Sequence, residues 1–328
     1  MSDGEGEPQL ARFGGAIDMH AHYMPRAYCA ALEQAGIRFL DGNVVEPPSW
    51  SVSAHLEVAD EVGIATSMLS ISSPGLLVTD DTQAAAPLAR RVNDEGAEIV
   101  REHPERFGLF ASLPLPDVDA AMTELARAYD DLQVDGVSLL TNYAGLYLGD
   151  RRLDPLFEEL SRREAIVALH PTSPAGWEAV SFGRSRGTVE FMFDTARAVF
   201  NMVLSETLDR YPQITLIVPH AGGVIPLLAD RADRSRLFGE ASQVDVFATL
   251  SRQLYDLAGG PMPRQLQALL SVAAPSQLVY GSDYPFSMPS LVRAGIAELL
   301  DTQLLSAPEQ RGAFRLNCLE RFPRLSRR

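Results

Sequence analysis

The feature that most constrains this chain is an alternation of short, continuous apolar runs with longer amphipathic ones. The runs Ala16–His20, Thr66–Ser72, Phe107–Leu113, Gly136–Leu140, Ile166–His170, Ile214–His220, Gln253–Leu257 and Gln277–Gly281 read as strands. Several lack the apolar–polar alternation of a half-exposed strand, and an unbroken apolar run suits a strand covered on both faces. Between them, Asp81–Glu102, Val118–Leu132, Pro155–Arg163, Val189–Arg210, Pro263–Ala273 and Pro289–Leu300 are amphipathic, with Asp or Ser near their starts and Pro or Gly near their ends. Strands alternating with helices predict the α/β class. A closed parallel sheet leaves no edge, so the expected architecture is a (β/α)8 TIM barrel; an open doubly wound sheet is the competitor.

The chain has 328 residues, 46% of them hydrophobic, enough for a large core. No linker divides it, so residues 13–328 are expected to form one barrel domain behind a loose, acidic, Gly-rich tail at 1–12. Two long loops are lid candidates, because loops after barrel strands build active sites. The stretch 23–53 carries Gly42-Asn43 and Pro47-Pro48, which predict a small hairpin insertion; Thr172–Gly187 holds Trp177, Arg184 and Arg186.

A net charge of −15 without any Lys/Arg-rich block argues against nucleic acid and anionic membrane partners. No apolar run approaches the roughly 20 residues of a membrane span. Two cysteines, Cys29 and Cys318, make neither a disulfide framework nor a thiolate zinc site. With no secretory signal pattern at the start, a cytoplasmic protein is the expectation.

Four of the six histidines fall at strand ends. His20 and His22 are two apart, so on an extended backbone both imidazoles face the same side and can reach one ion. His170 closes the fifth strand, His220 the sixth, and Asp283 follows the eighth in Gly281-Ser282-Asp283-Tyr284-Pro285. Taken singly, each has a structural use: a surface pair, a core histidine, a helix start, a helix cap. Five such groups at ends that converge on a barrel predict a centre for one divalent metal ion, Zn²⁺ first and Mn²⁺ second.

These motifs resemble the amidohydrolase superfamily, in particular the branch holding aminocarboxymuconate semialdehyde decarboxylase and the aromatic acid decarboxylases. The resemblance covers nearly the whole chain. It runs through His20-Ala21-His22, Ser70-Ile71-Ser72-Ser73-Pro74-Gly75, the Asn93–Gly108 helix, His170-Pro171, Phe191-Met192-Phe193-Asp194-Thr195, Pro219-His220-Ala221-Gly222-Gly223 and Gly281–Phe286. Phe191 to Gly223, with Trp50-Ser51, is most similar to the 6-methylsalicylate decarboxylases.

The resemblance implies that His20, His22, His170 and Asp283 are the metal ligands, and that His220 is an unliganded histidine sharing proton transfer with Asp283. It implies a homodimer in which Arg231 enters the neighbouring subunit's site to hold a substrate carboxylate. One departure bears on the substrate. The semialdehyde decarboxylase has an arginine shortly after a tryptophan, whereas Trp50 here is followed by Ser51 to Glu57, with His55 and no arginine. That favours a small aromatic acid. No lysine near Val137–Thr141 is available to bridge two metals.

The expected function is therefore metal-dependent, non-oxidative decarboxylation of an ortho-hydroxybenzoate-type acid, with Asp283 as proton donor. Ser72, Ser73 and Trp177 are expected to line the substrate site. Hydrolysis of a lactone or amide by the same groups is the alternative, and a binding protein on a retained barrel the third reading.

Overall fold

The computed structural model describes residues 8–42, 46–79, 81–238 and 244–327. Its main sheet contains β1 (Ala16–His22), β2 (Ile64–Ser70), β3 (Phe107–Ser112), β4 (Gly136–Leu140), β5 (Ile166–His170), β6 (Thr215–Val218), β7 (Leu254–Asp256) and β8 (Leu278–Val279). Each strand pairs in parallel with the next in sequence. Closure comes from the residues just past β8. Met19 N–H donates to Tyr280 O (2.8 Å), Asp283 N–H to His20 O (2.8 Å) and His22 N–H to Tyr284 O (2.7 Å). The (β/α)8 barrel predicted from the alternation is the fold observed.

Outside the sheet run α1 (Arg26–Gln34), α2 (Val52–Val62), α3 (Ala85–Glu102), α4 (Val118–Asp130), α5 (Asp154–Arg162), α6 (Glu190–Leu204) and α7 (Ile225–Ser235). Local sequence sets their starts. Ser51 Oγ accepts from Ala54 N–H at the head of α2, and Asp117 from Ala120 N–H at the head of α4, satisfying donors that a helix leaves free. The outer core lies between strands and helices, with Val137, Leu139, Leu156, Val199 and Leu216 almost fully buried. A second cluster joins Ile17, Met19, Met68, Phe110, Ile217, Leu254 and Val279 to Cys318, Phe322 and Leu325 from the C-terminal segment. Each large side chain so buried contributes about 1.5–3 kcal/mol relative to exposure.

Three local expectations need revision. Within the long loop after β1, residues 26–34 form α1, and its described part holds no strand; of the hairpin expected about Gly42-Asn43 and Pro47-Pro48, residues 43–45 lie outside the described residues. Residues 8–13 are docked, not loose. Leu10 is fully buried, its N–H donates to Val62 O, and Phe13 stacks on Phe314. The tail's remaining residues, 1–7, lie outside the described residues. The helix expected over Val189–Arg210 breaks at Glu206, whose φ of 63° leaves a separate turn at Thr207–Arg210.

Candidate metal centre

β1 presents His20 and His22 from the same face, with their Nε2 atoms 3.1 Å apart. Asp283 Oδ1 lies 3.2 Å from His22 Nε2 and 3.6 Å from His20 Nε2. His170, from the end of β5, completes a group whose four candidate ligand atoms lie within 4.8 Å of one another. The residues at these strand ends hold unusual backbone conformations: φ is 52° at His220, 50° at Ala221 and 57° at Asp283. Such strain concentrates at functional sites because the surrounding fold must impose it.

The opposite ring nitrogens decide whether this group can bind a cation. His20 Nδ1–H donates to Asp256 Oδ2 (2.8 Å), His22 Nδ1–H to Ser70 O (3.2 Å) and His170 Nδ1–H to Pro171 O (2.7 Å). Each acceptor pins the proton on Nδ1 and leaves the Nε2 lone pair facing its neighbours. That is the pattern by which metal-binding imidazoles are oriented. The donor set fits one divalent ion.

Electrostatics make a bound cation compete with a proton on His20. Burial opposes a charge on His20, but Asp256 and then Asp283 outweigh it and carry its pKa up to about 9. His22 is pushed down by burial, and His170 further, by burial and by the charges of His22, His20 and His220. His220 is lowered by burial and by His20. Burial would raise Asp283, yet His22, 3.2 Å away, with the nearby His20 and His220, holds its carboxyl below the ordinary range.

Asp283 divides its oxygens. Oδ1 faces His20 and His22, while Oδ2 lies 4.0 Å from His220 Nε2. A cavity of about 680 Å³ opens on His170, His220 and Asp283, with Ser72, Ser73, Phe191, Phe286 and Gln265 also in its wall. Its size is that of a small-molecule site. Phe286 meets His22 edge-on, and Phe191 meets His170 the same way.

The structure thus brings His20, His22, His170, His220, Asp283, Ser72 and Ser73 together. It does not bring Trp177 into that cavity. Trp177 lines a neighbouring one, and its ring is covered by the Arg186 guanidinium, 3.8 Å from the centroid. Arg231 is exposed on α7 and is not part of the cavity wall supplied by its own chain. Sequence reading missed three residues. Asp256 holds His20, Gln265 lines the cavity while donating to His220 O, and Asp41 sits in the wall. Only Asp256 had a signal: a carboxylate inside an apolar strand demands a partner.

A family model described as amidohydrolase matches residues 17–324. The 6-methylsalicylic acid decarboxylase of Penicillium expansum is 33% identical over 318 residues, covering 94% of this chain and 96% of its own. A solved amidohydrolase II structure superposes with a TM-score of 0.89 at 33% identity, covering 94% of this chain and 99% of that one. The 5-carboxyvanillate decarboxylase of Novosphingobium aromaticivorans, solved with manganese and 4-hydroxy-3-methoxy-5-nitrobenzoic acid, shares the fold (TM-score 0.82, 19% identity, 98% of this chain and 100% of that one). No described helix is long and apolar enough to cross a membrane.

Proposed function

The chain belongs to the amidohydrolase family, and from that premise we propose that it is a metal-dependent decarboxylase of an aromatic acid bearing a hydroxyl ortho to its carboxylate. The observation that carries this reading is the division of Asp283, a residue of the cavity wall: one oxygen lies with the imidazoles of His20 and His22, the other 4.0 Å from His220. His20, His22, His170 and Asp283 Oδ1 would hold the ion. When bound, the ion supplies positive charge for the substrate's carboxylate and hydroxyl oxygens.

The protein's own groups do the rest. Phe191 and Phe286 offer apolar surface to the ring, and Ser72 and Ser73 offer hydroxyls. Asp283, ionised at rest, takes up a proton at Oδ2 once substrate is bound and passes it to the ring carbon that bears the carboxylate. The carbon–carbon bond then breaks, its electron pair restores the aromatic ring, and CO2 leaves. His220 Nε2, neutral because its pKa is lowered, shuttles the replacement proton to Oδ2.

Three finer points belong to the same proposal. The donor set of three imidazoles and a carboxylate suits Zn²⁺, with Mn²⁺, the ion of the 5-carboxyvanillate decarboxylase structure, as second choice. The chain works as a homodimer in the cytoplasm. Arg231 of each subunit reaches the neighbour's cavity and meets a substrate carboxylate, which accounts for a cation exposed on α7.

The test is to incubate metal-loaded protein with a panel of hydroxybenzoates, following CO2, and with lactones, following acid release. CO2 from an ortho-hydroxybenzoate supports the reading. Acid release from lactones without CO2 from any acid replaces it with hydrolysis. Asp283→Asn should lose at least ~10³-fold in kcat while keeping the ion, since one oxygen can still ligate but the amide carries no transferable proton.

A further inference from the structure

Two loops meet at the wall of the cavity, and one carboxylate there has no part in the ligand set. Asp41, 9% exposed, comes from the loop after β1 and lines the cavity. Its backbone φ of 50° is strained for a residue with a side chain. Burial pushes the Asp41 carboxyl up, and three groups that favour its charged form oppose this: Ser173, from the loop after β5, which donates its hydroxyl to Asp41 Oδ1 (2.6 Å), the Ser73 hydroxyl, and Arg186.

The cation paired with it is Arg186. Arg186 Nε donates to Ser173 Oγ (2.8 Å), and its Nη2 is 3.9 Å from Asp41 Oδ1. The guanidinium carbon lies over the Trp177 ring, 3.8 Å from its centroid, and Arg186 is not in the cavity wall. Gly42 keeps this arrangement open, since a Cβ there would come within 2.5 Å of Arg186 Nη1. Among the described residues, no Lys or Arg lines the cavity. From its own chain this wall therefore offers the Asp41 carboxylate and neutral hydroxyls, while the neighbour's Arg231 proposed above serves the reacting carboxylate.

We propose that Asp41 is a specificity-determining residue, which admits a ring carrying hydrogen or a hydroxyl toward this wall and rejects a ring carrying a second carboxylate. The inference rests on the aromatic-acid reading above and names its substrate class: monocarboxylic hydroxybenzoates. Ordinary Coulomb repulsion supplies the discrimination. Two like charges about 5 Å apart, at an effective dielectric near 20, differ from a neutral pair by a few hundred-fold in binding, and Arg186 beside the carboxylate offsets part of this to leave roughly 100-fold. A hydroxyl at the same place donates to the carboxylate instead.

The experiment is equilibrium binding to metal-loaded protein, read by calorimetry. The probes are 2-hydroxybenzoate, its ring isomers bearing a second carboxylate, and the matching carboxamides, which keep shape and lose charge. For the isomer whose added group meets Asp41, the carboxamide should bind about 100-fold more tightly than the diacid. Asp41→Asn, confirmed folded by its melting curve, should narrow that ratio at least tenfold; Asp41→Ser gives the same readout if the amide disturbs the loop. Ser173→Ala keeps the charge and should keep the ratio.

An unchanged ratio in both Asp41 variants overturns the proposal. So does Ser173→Ala narrowing it as far as Asp41→Asn, because loop packing would then be the cause. No binding of any monoacid also overturns it. Binding needs no turnover, so a failure to release CO2 would refute decarboxylation and leave this comparison readable.

Discussion

Asp256→Asn is an isosteric change that should disarm His20 without touching a ligand. Asp256 Oδ2 accepts from His20 Nδ1–H, while Oδ1 accepts from His220 N–H (2.9 Å) and Ala258 N–H (3.1 Å). An asparagine can place its oxygen on one side only. If the oxygen keeps the two backbone N–H groups, the amide N–H2 faces His20 Nδ1, and the imidazole must move its proton to Nε2. The nitrogen that should ligate then carries a hydrogen. If the amide flips, two buried N–H groups face an N–H2, at about 1–3 kcal/mol each. The smaller total is about 2 kcal/mol, and every 1.4 kcal/mol is tenfold. Metal affinity should therefore fall at least ~30-fold, at the upper part of the 10–100-fold range usual for losing a ligand's hydrogen-bond partner. Chelator competition at fixed pH, on apo protein titrated with Zn²⁺ and then Mn²⁺, measures it directly. An affinity within threefold of wild type would show that Asp256 does not govern the tautomer of His20, and the orientation argument would fail.

Other consequences can be measured separately. His55 is 2% exposed, accepts from Trp50 Nε1–H and is held down to about 3 by burial. The native state stays unprotonated there while the unfolded state takes up a proton near 6.5, so stability is complete above pH 6.5 and lost as pH falls. The loss from this group is about 2 kcal/mol between pH 6.5 and 5, and denaturant unfolding of His55→Phe should lack that component; an identical pH slope in the variant would contradict it. A Cβ at Gly281 would lie 2.7 Å from His20 Cβ and 3.1 Å from Ala258 Cβ, so Gly281→Ala must displace His20. It should cost about 1–3 kcal/mol and at least tenfold in metal affinity, read by thermal unfolding with and without the ion. Arg231→Ala should raise KM for the aromatic acid at least tenfold with the metal content unchanged; an unaltered KM makes Arg231 a plain surface residue.

Much of this was legible because local rules carry far in a parallel barrel. Strands covered on both faces must be apolar throughout, and β3, β4 and β5 begin where their apolar runs begin. The strand pleat put His20 and His22 on one face, and closure of the barrel brought β5, β6 and β8 to them. The later strands are shorter than their apolar runs, because the chain leaves the sheet early to place His220 and Asp283 with positive φ. What stayed hidden was tertiary pairing. Nothing in the sequence around Trp177 says that Arg186 will cover it, or that Ser173 will join Asp41 across 132 positions. The Phe191–Thr195 motif was visible, but the use of Asp194 was not: buried, it gathers Asn142, Tyr147, Arg197 and the Thr141 hydroxyl, and so ties the segment after β4 to α6.

Anomalous diffraction from crystals soaked in a single divalent metal tests the centre itself. The arrangement predicts one strong peak per chain, about 2.0–2.2 Å from His20 Nε2, His22 Nε2, His170 Nε2 and Asp283 Oδ1, with His220 outside bonding distance. A peak elsewhere, or none between those four atoms at saturating metal, would contradict it.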